Sequence, residues 1–391
     1  MCDHPYLLWV DGPGGHRVKL KCVNLLSFLL LLSVVRSDAL PAQAAESTYD
    51  KLWQLAELYA SETNPVVQGL DLSGRFQHEH ARVWEDDRTY DEWNVRRARL
   101  GVNLDFFREF TLHIEAGFNP QETDPFYLRL TDAFLQWSPT SRAAVKVGKQ
   151  GVPFTMDGST SSKELLTIDR SNLANNMWFP QEYLPGVSFS GEASNWVYRV
   201  GAYSAGERNR EFGRLNAGVV TLAVLGYDAA EELGVASALL RGTYVHQNPD
   251  LNNTFTRQLR HVASVNFEVE DGWWGLRSDI TTARGYLGQS DLWGATIMPF
   301  LNVVAGLQFV GRYTYLSSEG ANGVRLPRYE NKLVDGRGDR YDELYLGVNY
   351  YFYGHKLKLQ GGVNFANMED RANDGGRYSG VAATTGLRVS W

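Results

Sequence analysis

From residue 66 to the end of the chain, apolar and polar residues alternate with a period of two. Ala98, Leu100, Val102, Leu104 and Phe106 interleave with Arg97, Arg99, Asn103 and Asp105. Phe110, Leu112, Ile114, Ala116 and Phe118 interleave with Thr111, His113, Glu115 and Gly117. The pattern recurs over 187–192, 196–202, 261–269, 274–280, 308–315, 343–352 and 380–391. Successive side chains of a strand point to opposite faces, so this period predicts strands with one apolar and one polar face. One segment departs from it. Residues 49–61 (YDKLWQLAELYAS) place Leu52, Leu55 and Tyr59 on one face at helical spacing, and Asn64-Pro65 closes the run. They predict a short helix that plugs or caps a larger fold, or else binds a partner.

A soluble β-sandwich also alternates, with its apolar side as a core. Three features favour a barrel in a bilayer. The strands are about nine to twelve residues long, the length a tilted transmembrane strand needs. Aromatics collect near strand ends at Trp93, Phe106-Phe107, Trp137, Trp273-Trp274 and 350–353, where interfacial girdles lie. The last strand alternates up to Trp391, the kind of terminal aromatic strand that outer-membrane barrels offer to their insertion machinery. The fold class expected is therefore all-β, a transmembrane antiparallel β-barrel. At roughly eleven residues per strand, three per turn and fifteen per outer loop, the chain beyond residue 66 accommodates sixteen strands, with fourteen or eighteen also fitting. A barrel of that size encloses water.

Composition removes several alternatives. The chain has 391 residues, 38 Gly and 49 aromatics, and no stretch of eighteen apolar residues, so a helical membrane protein is excluded. The two cysteines stand at positions 2 and 22, which leaves no disulfide scaffold, thiolate nucleophile or cysteine metal site in the body. The net charge of −7 argues against a nucleic-acid partner. At the N-terminus, Arg17, Lys19 and Lys21 precede the apolar run 23–35, and Ala42-Gln43-Ala44 follows. That order reads as a secretory signal peptide spanning 1–44, with residues 1–16 as an upstream extension. The expected organisation is signal peptide 1–44, helical segment 45–65 and barrel 66–391.

Several segments resemble the phosphate-selective porin O and P family of Gram-negative outer membranes. They are Arg96-Arg97-Ala98-Arg99-Leu100-Gly101, Leu130-Thr131-Asp132-Ala133-Phe134-Leu135, residues 145–154 (VKVGKQGVPF), Ile168-Asp169-Arg170-Ser171, residues 311–316 (GRYTYL) and residues 346–352 (LGVNYYF). The resemblance covers roughly residues 66–391. It implies a sixteen-stranded, homotrimeric diffusion channel in the cell outer membrane, with a loop folded into the lumen. Small anions or other small hydrophilic solutes would be its partners, and no cofactor is implied.

The longest stretch without alternation near mid-barrel is 151–185. It mixes polar Ser159–Ser162 with Leu165, Leu166, Ile168, Met177 and Trp178, so an inward loop that narrows the pore is expected there. Lumen-facing parity falls on eleven basic residues (Arg75, Arg97, Arg99, Lys146, Arg199, Arg241, Arg277, Arg312, Lys356, Lys358 and Arg388) and seven acidic ones (Asp71, Asp105, Glu115, Glu192, Glu268, Asp279 and Glu343). A basic wall focuses field and concentrates anions; cross-strand pairing with the carboxylates is the alternative role. The candidate pore and selectivity residues are Arg97, Arg99, Lys146, Lys149, Lys163, Arg170, Arg199, Arg277 and Arg312. The family's phosphate site depends on Arg and Lys at the narrowing, whereas this chain has only seven lysines beyond residue 44. The 126–137 strand breaks its alternation at Thr131-Asp132, as a bulge does.

Remaining motifs point elsewhere. His78-x-His80 shares the parity of Leu72 and Phe76, which suits interfacial histidines better than metal ligands. Asp335 to Asp339 with Glu343 offers oxygen ligands suited to Ca²⁺, or a solvated outer loop. No nucleophile-elbow, P-loop or zinc-protease pattern occurs, so an outer-membrane enzyme is the weaker reading beside a porin, as is a secreted carbohydrate-binding sandwich.

Overall fold

The computed structural model describes residues 7–11, 17–21, 47–122, 124–177, 183–205, 211–212, 218–253 and 256–391. The strands Leu7–Asp11 and Arg17–Lys21 pair antiparallel as a hairpin. The rest of the proposed signal peptide lies outside the described residues.

Sixteen strands close into an antiparallel barrel. They are β1 (Val67–Glu85), β2 (Arg88–Phe106), β3 (Phe110–Phe118), β4 (Tyr127–Thr140), β5 (Ala143–Gly151), β6 (Tyr183–Ala193), β7 (Trp196–Ser204) and β8 (Val219–Asp228). There follow β9 (Ser237–Gln247), β10 (Leu259–Asp271), β11 (Trp274–Gly285), β12 (Leu292–Val304), β13 (Leu307–Ser318), β14 (Arg340–Tyr353), β15 (Leu357–Glu369) and β16 (Tyr378–Ser390). Closure pairs β16 with β1, from Val381 opposite Trp84 to Ser390 opposite Arg75. Trp391 continues the seam: its N–H and C=O both bond Gly74, at 3.1 Å. A Cβ at residue 74 would lie 2.4 Å from the Trp391 ring, so only glycine lets the indole seat there.

With an even number of strands, both barrel termini share one end. That end carries the short connections, of two to eight residues, at 107–109, 141–142, 194–195, 229–236, 272–273, 305–306 and 354–356. The opposite end carries the long ones, above all 152–182 and 319–339, together with the two-residue turn 86–87 and the shorter 286–291. Outer-membrane barrels place short turns in the periplasm and long loops outside. Outward faces are apolar, with Leu100, Val147, Val200, Val265, Ile280 and Phe309 exposed. Around the loop-end rim His78 and His80 stack on Trp93 at 5.5 and 4.4 Å, the interfacial placement expected of them.

Two expectations need correction. The helix stops at Gln54, covering Thr48–Gln54 instead of 49–61, and Glu57–Ala60 forms a strand paired with Gly69–Asp71 of β1. Below Trp391 the β1 edge has no partner from β16, and pairing those backbone groups outweighs helical propensity. Inward faces are also not uniformly polar. Near the loop end, Ala81, Val83, Val220, Leu222, Val245, Val262, Leu316 and Met368 point inward and form a core with residues of the two long loops. The expected bulge is present: Glu115 pairs with Asp132 and Ala116 with Leu130, leaving Thr131 over.

Candidate pore constriction

The connection between β5 and β6 folds into the barrel. Val152, Phe154, Leu165, Leu166, Ile168, Leu173 and Met177 are all buried, as their hydrophobicity demands; Trp178 and Glu182 lie outside the described residues. Inside the loop, the short helices Met156–Ser159 and Asn172–Met177 are cross-tied. The Arg170 guanidinium donates to Asp157 O at 2.6 Å and Thr160 O at 2.8 Å, and an Asp157 carboxylate oxygen accepts from Ser171 N–H at 2.8 Å. Arg170 thus braces its own loop.

A row of inward donors from the wall grips the loop backbone. Gln77 donates to Ser162 O at 2.8 Å, and Lys358 and Gln360 donate to Leu165 O at 2.7 and 3.0 Å. Asn349 donates to Leu166 O at 2.8 Å, Arg388 to Ile168 O at 3.1 Å, and Arg312 to Asp169 O at 2.9 Å. These donors sit on β1, β13, β14, β15 and β16. Residues 162–169 lack a regular partner for their carbonyls, and the wall supplies one for five of the eight. Across the lumen, Asp279 accepts Met156 N–H at 2.6 Å and Arg241 donates to Ser159 Oγ at 3.0 Å.

Several inward arginines pair with buried carboxylates. Glu115 takes Arg75 at 3.1 Å and Arg99 at 3.3 Å. Glu343 takes Arg312 at 2.8 Å, and Glu79 takes Arg388 at 2.7 Å. Water-poor surroundings strengthen such pairs and penalise any charge left alone. Arg97 donates to Gln77 Oε1 at 2.9 Å, and Arg99 also reaches Tyr183 OH at 2.6 Å.

A second loop enters beside the first, which sequence reading did not foresee. Within 319–339, Val324, Leu326, Tyr329 and Val334 join the core at the loop end. Tyr329 OH donates to Glu79, Asn94 donates to Tyr329 OH at 2.8 Å, and Asn364 donates to Glu330 at 3.0 Å. Asn172 and Asn176 tie the two loops together through the Arg325 main chain, at 2.9 Å in each direction. Burial, with the Glu343 and Asp169 charges nearby, pushes the Glu330 carboxyl up to about 7. Of the stretch expected to form a solvated outer loop or a Ca²⁺ site, Asp335 is exposed while Asp339 and Glu343 are engaged in packing. Asp339 is fully buried and accepts main-chain N–H groups of Asn322 and Arg371, and Glu343 is occupied by Arg312 and Tyr341. Among the described residues no group of three acidic, histidine or cysteine side chains is placed to hold a metal.

The other candidate residues look onto open lumen or away from it. Lys146 on β5 sits 4.0 Å from the centre of the Phe134 ring. Neither it nor Arg199 on β7 forms an ion pair among the described residues, and the two lie close enough to repel each other, with Asp132 the carboxylate nearby. Arg277 and Arg241 share Glu268, each at 3.6 Å. Lys163, on the loop, donates to Trp391 O at 2.7 Å. Lys149 is bound by Glu211 at 2.8 Å, whose carboxylate also takes Leu130 N–H, so it is tied to the 205–218 connection. Lys356, expected on the wall, lies exposed in the 354–356 turn near the Tyr353 ring. Beneath Leu166, adjoining cavities of about 370 and 230 Å³ share Asn302, Gln308 and Tyr351, the second bordered by Arg277.

A closed sixteen-strand barrel with an inserted loop is the architecture of a channel. The family model for phosphate-selective porin O and P matches residues 70–299. The chain belongs to that family. It is an outer-membrane porin, as the barrel and its constriction loop require. A search of the curated proteins returns no match. Among solved structures, the anion-selective porin from Comamonas acidovorans superposes with TM-score 0.60 at 12% identity, covering 83% of this chain and 99% of its own. Salmonella typhi OmpF in complex with daunomycin gives 0.61 at 11%, covering 86% and 100%. Pseudomonas putida OprB gives 0.60 at 12%, covering 83% and 94%. At these identities the likeness is one of fold.

Proposed function

We propose that the porin conducts small hydrophilic solutes passively, without catalysis, and favours anions through the wall on which the constriction loop does not lean. The observation behind this is that Lys146 and Arg199 face the lumen side by side without an ion pair among the described residues. Arg75 and Arg99 share Glu115, Arg312 pairs with Glu343 and Arg388 with Glu79, and these pairs hold the loop or its surroundings in place. Arg277, which shares Glu268 with the loop-bound Arg241 and borders the cavity beneath Leu166, adds positive potential to the lumen. Asp132 moderates that field, so the preference is modest and a dedicated phosphate site is not part of the proposal.

Export through a signal peptide spanning 1–44 and assembly as a homotrimer complete the reading. Chemical cross-linking in native outer membranes, followed by gel mobility, checks the trimer; a monomer ladder alone contradicts it. Selectivity is checked by the zero-current potential of single channels in a KCl gradient. An anion-preferring sign is expected, reduced in a Lys146→Ala/Arg199→Ala double variant. A cation-preferring wild type overturns the proposal.

A further inference from the structure

The outward loop-end rim carries cations at three places, and one of them differs from the others. On β1 and β2, Arg82 has Asp91 at 3.7 Å. On β14, Arg340 has Asp342 at 3.1 Å and Glu369 at 3.9 Å. On β10 and β11, Arg260 and Arg284 are exposed and have no ion pair among the described residues. The register sets His261 opposite Arg284 and opposite His246, while the bulge between Leu259 and His261 releases Arg260 from the ladder. Tyr244 OH and His261 Nδ1 lie 2.7 Å apart, and the His246 and His261 rings are 4.9 Å apart. Towards the short-turn end, past the pair Ala263–Thr282, the outward residues Val265 and Ile280 are exposed and apolar. Two unpaired guanidiniums, two imidazoles and a phenol therefore stand where the lipid-facing band meets the outer headgroups.

We infer that this rim of β9–β11 docks a phosphorylated lipid headgroup of the outer leaflet. Guanidinium forks bind phosphate bidentately, and basic clusters at a membrane interface recognise anionic headgroups. Apolar strands directly below would receive the acyl chains of the same molecule, which a free phosphate ion lacks. The inference concerns the outer surface and is independent of which solute passes through the lumen.

The full-length protein in detergent, titrated with diphosphorylated lipid A and followed by native mass spectrometry, tests this. Saturable binding is expected. An Arg260→Gln/Arg284→Gln double variant should bind about thirtyfold more weakly, while Arg82→Gln, whose cation already has a carboxylate, should change affinity less than about twofold. Both arginines are exposed, so heat-modifiable gel mobility should show folded barrel in every variant. Equal affinity of wild type and double variant overturns the inference, as does equal binding of dephosphorylated lipid A. Full displacement by millimolar inorganic phosphate would overturn it too, because the ligand would then be the free ion.

Discussion

On the wall built by β13–β16, β1 and β2, Arg75, Arg312, Lys358 and Arg388 end on carboxylates or on carbonyls of the inserted loop, and their side chains are almost completely buried. On the opposite side, Lys146 and Arg199 face the lumen with no carboxylate bonded to them among the described residues. Both walls carry the same residue types at the same inward parity. The difference lies in what stands before them: a polypeptide with unsatisfied carbonyls, or water. A cation facing the first becomes part of the scaffold, and one facing the second contributes to the field that permeating ions meet.

The largest break in this contrast should come from the paired wall. Glu115→Ala removes the one carboxylate that Arg75 and Arg99 share and one of the two acceptors of Thr131 Oγ1. The cost expected is about 3–5 kcal/mol, because an unpaired charge stays buried. Urea unfolding in detergent measures it; a loss under about 1 kcal/mol would mean that water reaches these groups. Next comes Lys358→Met, which keeps most of the side-chain volume but leaves Leu165 O with Gln360 alone. About 1–3 kcal/mol of loop docking should be lost, read as increased open-channel noise with unchanged ion preference. A shift in selectivity of the same size as that of the open-wall variants would contradict the division.

A smaller effect is expected on the second loop. The Glu330 carboxyl, held near 7 in the fold against an ordinary 4.5, is bound there in its protonated form. Its contribution to docking is complete below about 4.5 and is lost as pH rises through about 7. Protection of the 319–339 amides, once exchange is corrected for the intrinsic rate at each pH, should therefore be higher at pH 5 than at pH 8, and Glu330→Gln should abolish that difference. Persistence of the pH dependence in the variant would assign it to another group.

Much of the barrel is legible in the sequence because its physics is local. Alternation from Ala98 to Phe106, or from Val381 to Trp391, needs only the two-residue repeat of a strand in a two-faced environment. The inserted loop is legible from Leu165, Leu166 and Ile168, apolar residues with no strand to join. The assignment of cations is not legible, because it depends on which strands the loop leans against. That is decided by register and by contacts such as Asn349 with Leu166 O, 183 residues apart in sequence. Parity placed Arg99 and Arg199 in one class; only the fold shows Glu115 and Tyr183 around the first. The apolar core at the loop end left a signal that was available: residues 219–225 (VVTLAVL) on β8 are apolar on both faces, which a water-filled lumen does not explain. The Glu57–Ala60 strand left none, because the edge it pairs exists only after the barrel closes.

On the proposed division, the wall on which the loop leans holds the constriction and the open wall sets ion preference. The most direct test compares the zero-current potential, in one KCl gradient, of wild type, Lys146→Ala/Arg199→Ala and Arg97→Ala/Arg99→Ala. The account predicts that the open-wall pair moves the potential towards the cation-selective side at little cost in stability. The Arg97/Arg99 pair should lower stability or raise noise while leaving the sign of the potential unchanged. Loss of anion preference in the Arg97/Arg99 variant, with none in Lys146/Arg199, would contradict it.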